Sequence, residues 1–179
     1  MSRAVFDTNV LLVANGQHDK LEGTPCQDAC LKAIERIQRG QDKLVIDEDA
    51  EGQSWIIEEY LHKTKPWNSQ LPGDQLLRRI LTERYSGFVD IVAITPRGTE
   101  KEPNTHAPLD FHEFPQDPLL VKFDVPDRKM VAAAIASKSS VKVAADAGFL
   151  KHQEALSPYV SVDFLCPDEI KLFRRAQGS

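Results

Sequence analysis

RAVFDTNVLLVANG, residues 3–16, joins a short β-prone run ending on an acid (RAVFD, 3–7) to a segment able to start a helix, with Thr8 or Asn9 as its cap. This is a strand turning into a helix at an aspartate. The stretch carries a single Arg, its apolar run is broken by Asp7 and Asn9, and it lacks a small-residue cleavage site. It therefore reads as a first strand and not as a signal peptide.

The same grammar repeats outward from it. Between Pro25 and Gly40, Ala29, Ala33, Ile34 and Ile37 recur at helical spacing, with Pro at the start and Gly at the end. KLVID (43–47) is a compact apolar run that again ends on an acid, and SWIIEEYLHK (54–63) has helical propensity and period. A further helix spans 72–87, bounded by Pro72 and Gly87, and FVDIVAIT (88–95) reads as a strand. Residues 96–126 hold six prolines, too dense for a regular core element, and read as a long surface excursion. Order resumes with an Ala-rich helix over 126–138, a β-branched run VKVAAD (141–146), a short helix GFLKHQEAL, a last strand YVSVDFL (159–165) and a closing helix over 167–177. Strands alternating with helices imply an α/β fold with a mostly parallel sheet covered on both faces. Ligands of such sheets bind at the carboxyl ends of the strands, where Asp7, Asp47 and Asp146 all fall.

At 179 residues the chain fits one domain, 1–179. Its 27 acids against 22 bases leave a net charge of −5, which argues against a protein that holds nucleic acid by bulk positive charge. A nuclease is not excluded, because bound divalent cations supply the charge that faces a phosphate. No apolar run approaches bilayer length, so no membrane partner is expected, and the cysteine usage points to a cytoplasmic location. Cys26, Cys30 and Cys166 are odd in number and lack zinc-like spacing, so reduced thiols are expected. The five histidines show no ligand-like spacing either.

FDTNV (6–10), EEY (58–60), PDRKMVAAA (126–134) and ADAGFL (145–150) resemble, in order and context, the motifs of the PIN-domain nuclease family. The resemblance spans almost the whole chain. It implies a three-layer α/β/α sandwich with a five-stranded sheet and a catalytic, metal-binding set of acids for Mg²⁺ or Mn²⁺. By that resemblance the acids fall on Asp7, Glu59, Asp127 and Asp146, with Thr8 and Asn9 as supporting polar neighbours. Glu58 competes with Glu59, since one residue turns a helical side chain by about 100° and only one of the pair can face the site. Glu59 is preferred because the family's acid precedes an aromatic, here Tyr60. Asp124 and Asp163 are further acids near these elements, expected outside the ligand set. Arg128 and Lys129, beside the third acid, are candidate phosphate contacts.

Mg²⁺ and Mn²⁺ are hard cations that prefer oxygen ligands, which is why carboxylates should converge for phosphodiester hydrolysis. Each acid taken singly has an ordinary structural use as a helix cap, a first-turn charge or a solvated surface group. Four motif acids on four correctly ordered elements are what those uses leave unexplained. The expected function is a metal-dependent nuclease, RNA ahead of DNA as its nucleic-acid partner because ribonucleases are the family's commonest members. VapC-like toxins held by an inhibitory antitoxin are one version, and a homo-oligomer is compatible with it. The other class of reading is a PIN module that binds nucleic acid or a protein partner without cutting.

Overall fold

The computed structural model describes residues 1–169. Five strands, β1 (Arg3–Phe6), β2 (Lys43–Asp47), β3 (Val89–Val92), β4 (Ser140–Val143) and β5 (Val162–Phe164), form one sheet in the order β3-β2-β1-β4-β5. Every neighbouring pair is parallel, with Ala4 beside both Leu44 and Ser140 in the central register. The chain winds outward from β1 to β3, then crosses back to β4 and β5 on the other side of β1. Right-handed crossovers in both directions put helices on both faces, and the result is a three-layer α/β/α sandwich. They also leave a crevice beyond the carboxyl ends of β1 and β4, where the winding reverses.

Four helices, α1 (Thr8–Ala14), α2 (Pro25–Gln38), α3 (Trp55–Lys63) and α4 (Pro72–Glu83), belong to the first half of the sheet, and α1, α2 and α4 pack on one another. The apolar side of α2 is Cys26, Cys30, Ala33, Ile34 and Ile37, all buried at helical spacing. Gly73 permits the closest approach of α4 to α1, because a Cβ there would stand 2.7 Å from the Leu11 carbonyl oxygen. Helix α5 (Arg128–Ser137) lies across β1, β2, β3 and β4, and its run Met130–Ala134 is buried throughout. Small alanines at three of those five positions let the helix sit close to the sheet. Two short helices, α6 (Ala147–Lys151) and α7 (Gln153–Leu156), lead to β5.

Three expectations are corrected. The cap of α1 is Asp7 and not Thr8 or Asn9; its carboxylate accepts from the Asn9 backbone N–H at 3.3 Å. Thr8 and Asn9 are already helical, which frees their side chains to point elsewhere. The proline-rich stretch is not a surface excursion, since Ala107, Phe111, Phe114, Leu120 and Phe123 are all at most 2% exposed. The prolines do prevent longer regular elements, leaving two isolated bridges and the 3-10 turns Pro118–Leu120 and Val125–Asp127. Aromatic burial anchors the segment instead, with Phe111 against Trp55 at 5.5 Å and Phe123 edge-on to Phe149 at 5.2 Å between ring centres.

The third correction concerns the thiols. Cys26 and Cys166, 140 residues apart, form a disulfide, and Cys30 remains free and buried beside it. Cysteine count and spacing carry no information about which residues the tertiary fold brings together; here the chain leaving β5 returns over the start of α2. The closing helix expected over 167–177 falls, beyond residue 169, outside the described residues. Among the described residues no helix is long and apolar enough to cross a membrane.

Candidate metal centre

Asp7 follows β1 directly, and its backbone N–H donates to the Lys142 carbonyl at 2.9 Å, extending the β1–β4 pairing to the crevice. The residue is 2% exposed. Asp146 follows β4 and caps α6 by accepting from the Phe149 N–H at 3.0 Å, while Asn9 Nδ2 donates to its other oxygen at 3.4 Å. The two turns of the reversal point are thereby tied through Asn9.

Glu59 reaches the same place from α3. Two buried hydrogen-bond systems orient that helix. The Asp47 carboxylate at the end of β2 accepts from Ser54 Oγ (2.9 Å), Trp55 N (3.0 Å) and Ile56 N (2.9 Å), and the Tyr60 hydroxyl donates to the Phe6 carbonyl at 2.6 Å. Asp47 thus lies at a strand end, as its spacing implies, but serves the helix N-terminus and not the crevice. The Glu59 carboxylate accepts from Thr8 Oγ1 at 2.8 Å and pairs with Lys129 Nζ at 2.5 Å. Glu58 is turned away and accepts from Gln53 Nε2 at 2.6 Å.

Asp127 ends the 3-10 turn Val125–Asp127 that leads into α5. Its carboxyl is held well above the usual carboxylate range, first by burial and then by Asp7, Asp146, Glu59 and Asp124. Asp7 is pushed up to about 8 by burial and by the charges of Asp146 and Glu59, against the lowering effect of the Asn9 and Thr8 N–H groups. The four acids named from sequence therefore feel one another across a single crevice.

Asp124 joins them. A Cβ on Gly148 would meet Asp124 Oδ2 at 2.7 Å and Asp146 Oδ1 at 3.2 Å, so both carboxylates crowd the first turn of α6 and only glycine leaves room for them. The spacing Asp124-x-x-Asp127 was the available signal, since positions three apart on a helical turn share a side. Asp163 is elsewhere; it accepts from Ser140 at the opposite end of β4.

Lys129 is not placed to meet a phosphate from solvent, and Arg128, its side chain 15% exposed, is engaged within the protein. Arg128 pairs with Asp110 at 3.4 Å, donates to the Val121 carbonyl at 3.1 Å and lies over the Phe114 ring, so it fastens the proline-rich segment to α5. Lys129 is 1% exposed and points inward. Arg78, Arg79 and Arg84 likewise donate to the carbonyls of Pro66, Gln38 and Gly52.

The donors fit a hard divalent cation: they are carboxylate oxygens, and their mutual repulsion is what a cation would relieve. Among the described residues no three carboxylates bring one oxygen each within 4.8 Å of one another, a distance met by the sulfurs of Cys26, Cys30 and Cys166. As placed, the acids are therefore not drawn together around one ion position, and a cation would have to gather them.

A pH dependence follows for the metal-free protein. Asp7 has a folded pKa of about 8, above its value in an unfolded chain (about 3.9). The stability tied to its protonated form is fully present below about pH 4 and is lost as pH rises through about 8. Melts in EDTA should show stability falling as pH rises from 5.5 to about 8 and levelling off above it. A flat profile would mean that these carboxyls are not buried together.

The chain matches no protein-family model, no curated protein and no solved structure.

Proposed function

We propose that the protein is a divalent-metal-dependent nuclease of the PIN type, hydrolysing phosphodiester bonds at the crevice between β1 and β4. The observation that carries this reading is the convergence of Asp7, Glu59, Asp127 and Asp146 at the reversal point of the sheet, with Asp7 and Asp127 raised first by burial and then by their acidic neighbours.

Asp7, Asp127 and Asp146 would hold Mg²⁺ or Mn²⁺, and the ion would supply Lewis-acid polarisation of the phosphate and positive charge to a chain of net charge −5. The protein's own groups do the rest. Asn9 fixes the orientation of Asp146, and Asp7 holds a proton near neutral pH that it releases when a cation arrives. Thr8 and Lys129 fix the Glu59 carboxylate, one on each oxygen, and so hold α3 against the start of α1 and α5. A phosphodiester entering from the open side would meet these oxygens at the sheet's carboxyl edge, where its in-line hydrolysis by water is promoted. RNA is the first substrate to test, by the family resemblance of the four motifs.

Purified protein incubated with single-stranded RNA and single-stranded DNA under Mg²⁺, Mn²⁺ or EDTA tests the reading. Cleavage that requires the cation and is lost in EDTA is expected. Saturable nucleic-acid binding without cleavage under every condition would replace the enzyme with a binding module.

Glu59→Gln should lower cation-dependent cleavage at least about tenfold, as loss of a group supporting a metal site does, while Glu58→Gln should leave it within about twofold. The two side chains have separate surroundings: Glu59 contacts Thr8 and Lys129, Glu58 contacts Gln53. Equal losses in the two variants would remove the assignment of the helix acid.

A further inference from the structure

We propose that the Lys129 ammonium is a resident cation standing where a second divalent ion would otherwise bind, so that the centre takes one Mg²⁺ or Mn²⁺ on its Asp7, Asp127 and Asp146 side. The inference rests on the metal reading above. Under it Glu59 is a positioning residue, neutralised from within the protein.

Glu59 is engaged on both oxygens. Thr8 Oγ1 donates to Oε1 at 2.8 Å, and Lys129 Nζ lies 2.5 Å from Oε2. The ammonium is held by more than this pair. It donates to the Pro126 carbonyl at 2.6 Å and lies 3.8 Å from Glu102 Oε2. Glu102 is itself 8% exposed and accepts from the Thr105 hydroxyl. With Lys129 only 1% exposed, the charge cannot swing into solvent without opening the first turn of α5.

Two-ion hydrolytic centres place their cations roughly 3.5–4 Å apart. A second ion on the Glu59 side of the one held by Asp7 would take Glu59 as a ligand. It would then stand next to an ammonium that is already in contact with that carboxylate, and like charges at such distances repel strongly in a desolvated site. An ammonium offers three donors and no acceptor, so it balances Glu59 and Glu102 without presenting a ligand position of its own. The other wall of the crevice is different. Among the described residues none of Asp7, Asp124, Asp127 and Asp146 has a cationic partner within 4.0 Å, whereas Glu59 and Glu102 share the Lys129 ammonium. Positive charge is thus built into one side of the centre and left out of the other. The proline-rich segment has a part in this, because it delivers Glu102 to the back of Lys129.

Chelator-treated full-length protein titrated with Mn²⁺ by calorimetry, and examined by electron paramagnetic resonance once loaded, tests the inference without an activity assay. The wild type should bind one Mn²⁺ per chain and give the spectrum of isolated ions. Lys129→Met should bind two and show spin coupling between them. Should that variant fail to fold, Lys129→Met/Glu102→Gln removes one charge of each sign and is expected to give the same second ion. Two coupled ions in the wild type, or one ion in a folded Lys129→Met/Glu102→Gln protein, would overturn the resident-cation role while leaving the metal centre standing. If neither variant folds, the wild-type count decides. Absence of Mn²⁺ binding by the wild type would overturn the metal reading itself and this inference with it.

Discussion

Asp7→Asn is expected to reduce cation-dependent cleavage by about a hundredfold or more, and to remove most of the Mn²⁺-induced rise in melting temperature. The same substitution should raise the melting temperature of the metal-free protein at pH 8. Asp7 is 2% exposed and is opposed by Asp146 and Glu59, so its ionised form is disfavoured by burial and by like charge together. An amide keeps the oxygen that accepts from the Asn9 N–H and discards the charge. Stability and function should therefore move in opposite directions, the signature of a group kept for binding a cation. Paired melts with and without Mn²⁺, run beside a cleavage assay, provide the measurement. An Asp7→Asn protein that cut as well as the parent and kept the full Mn²⁺ shift would reduce Asp7 to the cap of α1.

Reduction of the Cys26–Cys166 disulfide is expected to lower stability by as much as about 5 kcal/mol, the loop-closure entropy of a cross-link spanning 140 residues. For a chain of this size that corresponds to a fall in melting temperature on the order of 10–20 °C. Cys166→Ala should reproduce most of the loss and become insensitive to reductant. Thiol titration of the denatured protein gives an independent reading. Protein purified without reductant should show one free thiol per chain, belonging to Cys30, whose buried group is pushed up to about 12 and is correspondingly unreactive. Three titratable thiols would restore the reduced state expected from cysteine spacing alone.

The contrast between Asp7 and Asp47 shows where local pattern stops being informative. Both end a short apolar strand and precede a helix, and in the sequence they are equivalent. Asp47 is followed by seven residues before α3, which lets the helix N-terminus fold back onto its carboxylate and engage both oxygens. Asp7 is followed at once by α1, so its carboxylate caps the helix at the Asn9 N–H and is left beside Asp146 and Glu59. Glu58 and Glu59 differ in a similar way. Helical period required that one of them face inward, but the choice depended on where Thr8 and Lys129 lie, and both come from other elements.

Strand and helix positions were legible from residue periods, prolines and glycines because those signals act over a few neighbouring residues. For the same reason the alternation of strands and helices was enough to establish the parallel α/β class and to place acids at strand ends. Strand order was decided only in three dimensions: β4 pairs with β1 and not with β3, and that pairing makes Asp7 and Asp146 neighbours. The buried aromatics of the proline-rich segment, the Cys26–Cys166 link and the inward turn of Lys129 toward Glu59 and Glu102 belong to the same category. Each depends on contacts between residues far apart in the chain, whose free energy comes from burial and charge pairing that no local stretch of sequence contains.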